Sequence, residues 1–300
     1  MMPDLTKLST EKRNPRTMDL DLMSPLQIAE AMNAEDKNVV AAVHEVLPQV
    51  AQAIELATAC LSAGGRIIYA GAGTSGRLGL LDAVECPPTF GVAPEQVVGL
   101  MAGGMKAFAR AVEGAEDSLT LCEEELRELG LTDKDIVIGI AASGRTPYVI
   151  GGLRYARKVG CHTVAIACSK DSEIGREAEV AIEPVPGPEV LTGSTRLKAG
   201  TAQKMILNMI STGSMVGVGK AYQNLMVDVR QSNDKLRVRA RNIVKEATGC
   251  DDGQAAEALA EAKGEAKVAI VMILLGLSAG EAVRALERAH GKVRVALAEK

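Results

Sequence analysis

A short apolar run rich in β-formers, residues 66–70, breaks into Gly71-Ala-Gly-Thr-Ser-Gly76 and passes at once into a helical pattern from Arg77. That order demands a tight loop between a strand and a helix, an arrangement that turns main-chain N–H groups toward a shared point. Gly71, Gly73 and Gly76 let the backbone approach a ligand, and the helix N-terminus adds partial positive charge. Thr74 and Ser75 add hydroxyl donors. The stretch is expected to hold an anion, in the first instance a phosphate.

The Gly71-x-Gly73-x-x-Gly76 spacing also satisfies the dinucleotide fingerprint. That reading requires an acidic residue at the end of the next strand, about twenty positions on. Glu95 has about the right spacing, but it precedes the next apolar run, residues 96–100, instead of ending it. Simple turn closure is no better an account, because it has no use for two consecutive hydroxyl residues among three glycines.

From Arg66 onward the pattern alternates. Strands are expected at 66–70, 96–100, 135–140, 162–167 and 179–182, and helices at 77–84, 105–129 (broken near Gly114), 147–159 and 172–177. Near-continuous apolar runs such as Ile136-Val-Ile-Gly-Ile140 suit strands covered on both faces. The expected fold class is therefore α/β: a three-layer α/β/α sandwich on a mainly parallel five-stranded sheet. Ligands are expected beyond the carboxyl ends of its strands.

A second loop repeats the logic of the first. After residues 136–140 come Ser143, Gly144 and Thr146, then Pro147 at the start of a helix. Alone, Ser143 and Thr146 could be ordinary helix caps. Two such loops in one sheet are more specific: a dinucleotide fold needs one, whereas a sugar phosphate can use both.

Residues 1–23 read as a polar, solvated arm. Ser24-Pro25 opens a helix expected to end near Asn33, and a second, kinked or split at Pro48, runs from Glu35 to Leu61. A proline-rich crossing at 183–188 leads past Ser194, Arg196 and Lys198 to a long helix, about 198–219, apolar around much of its circumference. Beyond Asn233 the chain reads as a small helical bundle, with helices at about 234–247, 253–262, 265–275, 279–289 and 291–298. The implied division is an N-terminal arm and helices (1–56), a phosphosugar domain (57–220) and a C-terminal helical region (221–300).

Composition removes several classes of function. A net charge of −4, with 2% aromatic residues and no Trp, argues against a nucleic-acid surface. The longest apolar stretches, 205–218 and 268–277, are interrupted or too short to span a bilayer, and no signal peptide is evident. Six cysteines without a Cys-x-x-Cys pair point to core residues in a reducing cytoplasm. His44, His162 and His290 are isolated, which leaves neither a metal site nor a histidine triad, so catalysis would fall to carboxylates.

Paired Ser/Thr loops on a parallel sandwich resemble the sugar isomerase (SIS) phosphosugar-binding domain, over about 57–220. The motifs Gly71-Ala-Gly-Thr-Ser-Gly-Arg-Leu-Gly79, Glu85-Cys-Pro-Pro-Thr-Phe-Gly91, Val112-Glu-Gly-Ala-Glu-Asp117, Gly139-Ile-Ala-Ala-Ser-Gly-Arg-Thr-Pro-Tyr148 and Gly193-Ser-Thr-Arg-Leu-Lys-Ala-Gly-Thr-Ala-Gln-Lys204 resemble more closely the N-acetylmuramic acid 6-phosphate etherases. So do Asn224-Leu-Met-Val-Asp228 and Ala247-Thr-Gly-Cys250. Met105, where relatives often carry Glu, and Leu197, where Met is usual, depart from the family pattern.

The resemblance implies cleavage of the D-lactyl ether of N-acetylmuramic acid 6-phosphate, without metal or redox cofactor, in a cytoplasmic homodimer. It implies Glu85 as general acid and Glu116 as general base, with Ser75, Ser143 and Thr146 on the phosphate and Thr74 and Gly144 beside them. Ser194 and Lys198, with Arg196, form a polar cluster expected to face the anionic substrate. The chemistry suits two carboxyl groups. Opening the sugar to its aldehyde acidifies the C2 proton, which a carboxylate can remove while a protonated carboxyl helps lactate leave C3; water then adds back. The two glutamates would have to hold opposite protonation states, which requires unlike surroundings. Pro87-Pro88 is expected to give Glu85 a partly dry setting, and a helix N-terminus is expected at Glu116.

Overall fold

The computed structural model describes residues 9–110, 112–229 and 234–298, so the first eight residues of the expected arm lie outside the described residues. The chain divides into two compact units. The first comprises the residues up to Val84 together with Glu95–Ser211; the second comprises Glu85–Pro94 and the residues from Thr212 onward.

In the first unit, α1 (Pro25–His44) starts at Ser24, whose hydroxyl accepts from the Gln27 N–H while the Gln27 side chain accepts from the Ser24 N–H. It does not stop at Asn33 as expected. No glycine or proline stands there, and the helix continues to Glu45–Val46, the true break before α2 (Leu47–Ser62). Pro48 falls in the first turn of α2, where its missing N–H costs nothing.

Five strands follow: β1 (Ile67–Gly71), β2 (Val97–Met101), β3 (Ile136–Ile140), β4 (His162–Ile166) and β5 (Val180–Ile182). They form one all-parallel sheet in the order β2-β1-β3-β4-β5. Between them run α3 (Gly73–Phe90, which passes into the second unit after Val84), α4 (Gly104–Ala109), α5 (Leu121–Glu128), α6 (Pro147–Val159) and α7 (Glu173–Arg176). The single helix expected over 105–129 is thus two, with a 3₁₀ turn at Ala115–Asp117 between them.

One face of the sheet carries Tyr69 and Ile140. Gly79 of α3 packs so tightly there that a Cβ would lie 2.8 Å from Tyr69 Cβ. On the other face Ile68, Ala70 and Val137 pack with Cys122 and Leu126 of α5 and with Tyr148, Val149 and Leu153 of α6. Each layer of the expected sandwich is present.

The chain then crosses to α8 (Lys198–Gly217). Its first two amides, of Lys198 and Ala199, donate to the buried Glu189 carboxylate at 2.9 and 3.0 Å. The described part of the arm is solvated only in part, with Lys12, Arg13, Arg16 and Asp19 exposed. Thr10, Asn14 and Thr17 are buried, and the Thr17 hydroxyl donates to Val190 O at 2.8 Å.

The second unit has its own core. Its helices are α9 (Asp234–Thr248), α10 (Asp252–Glu261), α11 (Ala266–Leu275), α12 (Ala279–Arg288) and α13 (Val293–Ala298). Val227, Val244, Ala269, Ile270, Val271 and Leu286 pack together at their centre. Asp228 accepts from Lys267 Nζ at 2.6 Å and pairs with Lys220 at 3.2 Å. No single described helix is long and apolar enough to cross a membrane.

Candidate functional site

The strand order reverses direction between β1 and β3: the chain leaves β1 for β2 on one side and returns to β3 on the other. In a parallel sheet the crevice beyond the carboxyl ends of two such strands is where ligands bind. Gly71 ends β1 in register with Ile140, which ends β3. Both Ser/Thr loops therefore emerge side by side at the switch point, on strands about 4.8 Å apart.

The first loop is shorter than its sequence suggests. Gly73 has φ +54°, and α3 begins there, so Thr74, Ser75 and Gly76 form its first turn. Their amides are among those a helix leaves without internal partners. Gly71 and Gly76 are needed by each other: a Cβ on Gly76 would stand 2.6 Å from Gly71 O, and one on Gly71 would stand 2.8 Å from Gly76 N. Ser75 is buried and its hydroxyl donates to Gln203 Oε1 of α8 at 2.9 Å. Thr74 lies against the same helix, with its methyl 3.5 Å from where a Gly200 Cβ would be.

In the second loop Gly144 has φ +72°, and a Cβ there would come 2.4 Å from Ser172 Cβ. Thr146 stands at the cap position of α6, yet its side chain makes no capping hydrogen bond. The plainer role considered for it, helix capping, is not the one it plays. Ser143 and Thr146 are both partly exposed.

Glu116 lies next to the first loop. A cavity of about 180 Å³ is lined by Ala72, Gly73, Arg77, Gly114 and Glu116 among others. Arg77 fixes one wall, donating to Phe108 O at 2.9 Å and Ala107 O at 2.8 Å. The expected helix N-terminus at Glu116 is absent, because the residue sits in the short 3₁₀ turn and α5 starts only at Leu121. Gly114, with φ +75°, turns the chain there.

Glu85 belongs to the second unit and is exposed, so the partly dry setting expected for it is not present in this chain. The reason is local. Pro87 and Pro88 do not stop α3, which continues to Phe90; Cys86 takes the buried position and Glu85 the solvent side.

The polar cluster after the proline-rich crossing does not assemble. Arg196 is exposed and Ser194 half-buried, while Lys198 is 1% exposed with its ammonium 2.7 Å from Glu35 Oε2. Glu35 also accepts from Asn14 Nδ2 at 2.8 Å and pairs with Arg16 at 2.6 Å. Burial works against its charge, but the Lys198 and Asn14 hydrogen bonds and the two cations outweigh it and hold its carboxyl below the usual range. Glu35 carried no signal in the sequence, being one acid among several on a long helix 163 positions from its partner.

Asp82, on α3, joins three elements. It accepts from Tyr69 Oη of β1 at 2.8 Å and from Ser211 Oγ of α8 at 3.0 Å. Burial pushes its carboxyl up, against the pull of those two hydrogen bonds. Glu95 lies in a 3₁₀ turn before β2, at the opposite end of the sheet from the glycine loop, which removes the acidic residue a dinucleotide would need. Among the described residues no three His, Cys, Asp or Glu side chains gather as a metal cradle.

Residues 49–157 match the family model for the glucokinase regulatory protein N-terminal SIS domain, and residues 125–212 match the SIS domain model. An N-acetylmuramic acid 6-phosphate etherase of Serratia proteamaculans is 60% identical over 276 residues, 92% of this chain and 93% of that protein. One of Mycolicibacterium smegmatis is 58% identical over 276 residues with the same two shares, 92% and 93%. Among solved structures, a phosphoheptose isomerase from Francisella tularensis aligns over 65% of this chain and 100% of its own, at 16% identity and a TM-score of 0.49.

Proposed function

The chain belongs to the N-acetylmuramic acid 6-phosphate etherase family, and we propose that its reaction runs at the switch point between β1 and β3. The enzyme is a carbon–oxygen lyase of amino sugar recycling: it cleaves the D-lactyl ether of N-acetylmuramic acid 6-phosphate, yielding N-acetylglucosamine 6-phosphate and D-lactate. The phosphate takes the first-turn amides of Thr74 and Ser75 and the Thr74 hydroxyl, together with Ser143, Gly144 and Thr146, while the Ser75 hydroxyl donates its one hydrogen to Gln203 Oε1. Carrying this reading is the adjacent exit of both loops from paired strands, with Glu116 on the wall of the cavity that includes Gly73.

Glu116 is the base that removes the C2 proton of the ring-opened sugar. Glu85 is the acid that protonates the departing lactate oxygen at C3. Water then adds to the unsaturated aldehyde and the ring closes. An acid and a base of this kind each contribute about 10²–10⁴-fold. Ser194 and Lys198 are left with supporting roles, since the Lys198 ammonium is engaged by Glu35. Two wider readings go with this one. The six cysteines, none of them in a disulfide, suit a cytoplasmic enzyme, and the exposed apolar side chains of the first unit suit a homodimer.

D-lactate release from N-acetylmuramic acid 6-phosphate is the test. Wild type should release lactate, and Glu85→Gln and Glu116→Gln should each lose about 10²-fold or more in kcat while keeping the fold. A well-folded wild type that binds the sugar phosphate and releases no lactate would overturn the reading. Undiminished kcat in either variant would remove that residue from its role.

A further inference from the structure

Four buried side-chain atoms of the described residues have no hydrogen-bond partner: Thr10 Oγ1, Gln49 Oε1, Ser169 Oγ and Gln203 Nε2. Thr10 Oγ1 and Ser169 Oγ are hydroxyls that can donate or accept, and Gln49 Oε1 is an acceptor only. Gln203 Nε2 is different. It is an amide nitrogen with two hydrogens and no acceptor capacity, on a side chain 1% exposed. A buried donor without a partner costs about 1–3 kcal/mol, and native structures seldom carry one without a reason.

Its position supplies a reason. The other atom of the same amide, Oε1, holds the Ser75 hydroxyl at 2.9 Å. The two amide atoms share one carbon, so the free N–H₂ group lies within a phosphate's width of Ser75. The contact does not rest on this bond alone. Gly200, three residues earlier and so on the same face of α8, lies against Thr74 of the same loop. The face of α8 that closes over the glycine loop is otherwise apolar or small, with Ala199, Gly200, Ile206 and Leu207 buried on it. A glutamine there adds nothing to packing that a leucine would not.

We infer that Gln203 is a phosphate-binding residue: its Nε2 donates to an oxygen of the sugar phosphate held by the glycine loop, while its Oε1 holds the Ser75 side chain in place. A phosphate oxygen is the acceptor that Nε2 lacks among the described residues. The inference rests on the proposed etherase site and names a further group in it.

The experiment compares wild type with Gln203→Leu and Gln203→Glu, measuring kcat and KM for N-acetylmuramic acid 6-phosphate and inhibition by inorganic phosphate. A hydrogen bond to a charged group predicts that Gln203→Leu raises both KM and the inhibition constant of phosphate by about tenfold or more, with the loss carried by KM and not by kcat. Gln203→Glu should be worse at alkaline pH, where its carboxylate repels the phosphate. Relative to wild type its phosphate binding should recover as the pH falls and the carboxyl gains a donor proton, with an unfolding temperature that does not change over the same range; a merely structural role would move both together. If Gln203→Leu fails to fold, this pH dependence decides the matter.

Unaltered KM and phosphate inhibition in Gln203→Leu would overturn the inference while lactate release by wild type left the etherase reading standing. A raised KM with unaltered phosphate inhibition would also overturn it, by moving Gln203 to the sugar. Should wild type release no lactate, the etherase reading falls first. Calorimetric titration of wild type and variants with N-acetylglucosamine 6-phosphate and inorganic phosphate then judges Gln203 on binding alone.

Discussion

The Lys198 ammonium and the Glu35 carboxylate are both out of water, at 1% and 3% exposure, so removing one differs from removing both. Lys198→Met leaves a buried carboxylate with Asn14 and with Arg16, whose side chain is itself 67% exposed. The expected cost is about 3 kcal/mol of folding free energy, read by urea unfolding. The double variant Lys198→Met, Glu35→Leu removes the charge as well and should regain most of that loss. The pair also has a pH signature. Glu35 is held below its ordinary 4.5 in the folded chain, so its contribution is complete above that value and is lost as the pH falls through the lowered one. Wild type should therefore lose more stability than the double variant on acidification below 4.5; equal acid limbs would show that the pair does not act this way. At this scale the sequence was informative where residue types cluster. Two hydroxyls among three glycines, repeated after β3, marked both loops, whereas Lys198 stood in a polar trio with nothing to indicate a partner far back on α1. Gln203 stood only inside the 193–204 motif, and nothing in the spacing connects it to Ser75.

The strands are legible to within a residue because each is a short apolar run, buried throughout in β1 and β3 and partly exposed in the edge strands β2 and β5. Helix ends are less so, and α3 shows why. Its start is set by the positive φ of Gly73 and not by a capping side chain, and its last turn absorbs Pro87 and Pro88, which in a sequence read as a stop. The Glu85 environment was misjudged for that reason. Fixing α3 to the sheet depends on Gly79. A methyl group there would lie 2.8 Å from Tyr69 Cβ, which is attached to the β1 backbone, and 3.2 Å from Ile140 Cδ1. Alanine is the better helix former by about 1 kcal/mol, yet Gly79→Ala must push α3 off β1 and should destabilise by about 1–3 kcal/mol net. Thermal unfolding checks the sign: a higher Tm would mean that the helix can shift freely and that the glycine is not a packing requirement.

For the whole molecule, the open question of chemistry is what covers the apolar surface of the first unit. Leu81, Met105, Phe108 and Leu119 are between 45% and 70% exposed, and Leu80, Leu100, Met101 and Met105 line a groove of about 380 Å³ together with Glu125 and Glu128. β2, at the edge of the sheet, contributes Gly99–Met101 to that groove. An exposed edge with large apolar side chains is a liability for a free monomer, and pairing two copies over it removes the liability by symmetry, each giving the same patch. The homodimer proposed above would pair over this face. Sedimentation velocity over a range of concentrations should give twice the 31.4 kDa chain mass. Leu81→Glu combined with Phe108→Glu puts like charges where the copies meet and should shift the species to the chain mass without unfolding it, since both side chains are already about half in water. A wild type that sediments as a single chain at every concentration would remove the dimer. A dimer that survives the double variant would keep it but place its interface elsewhere, and the exposed face of α3 would then need a different occupant.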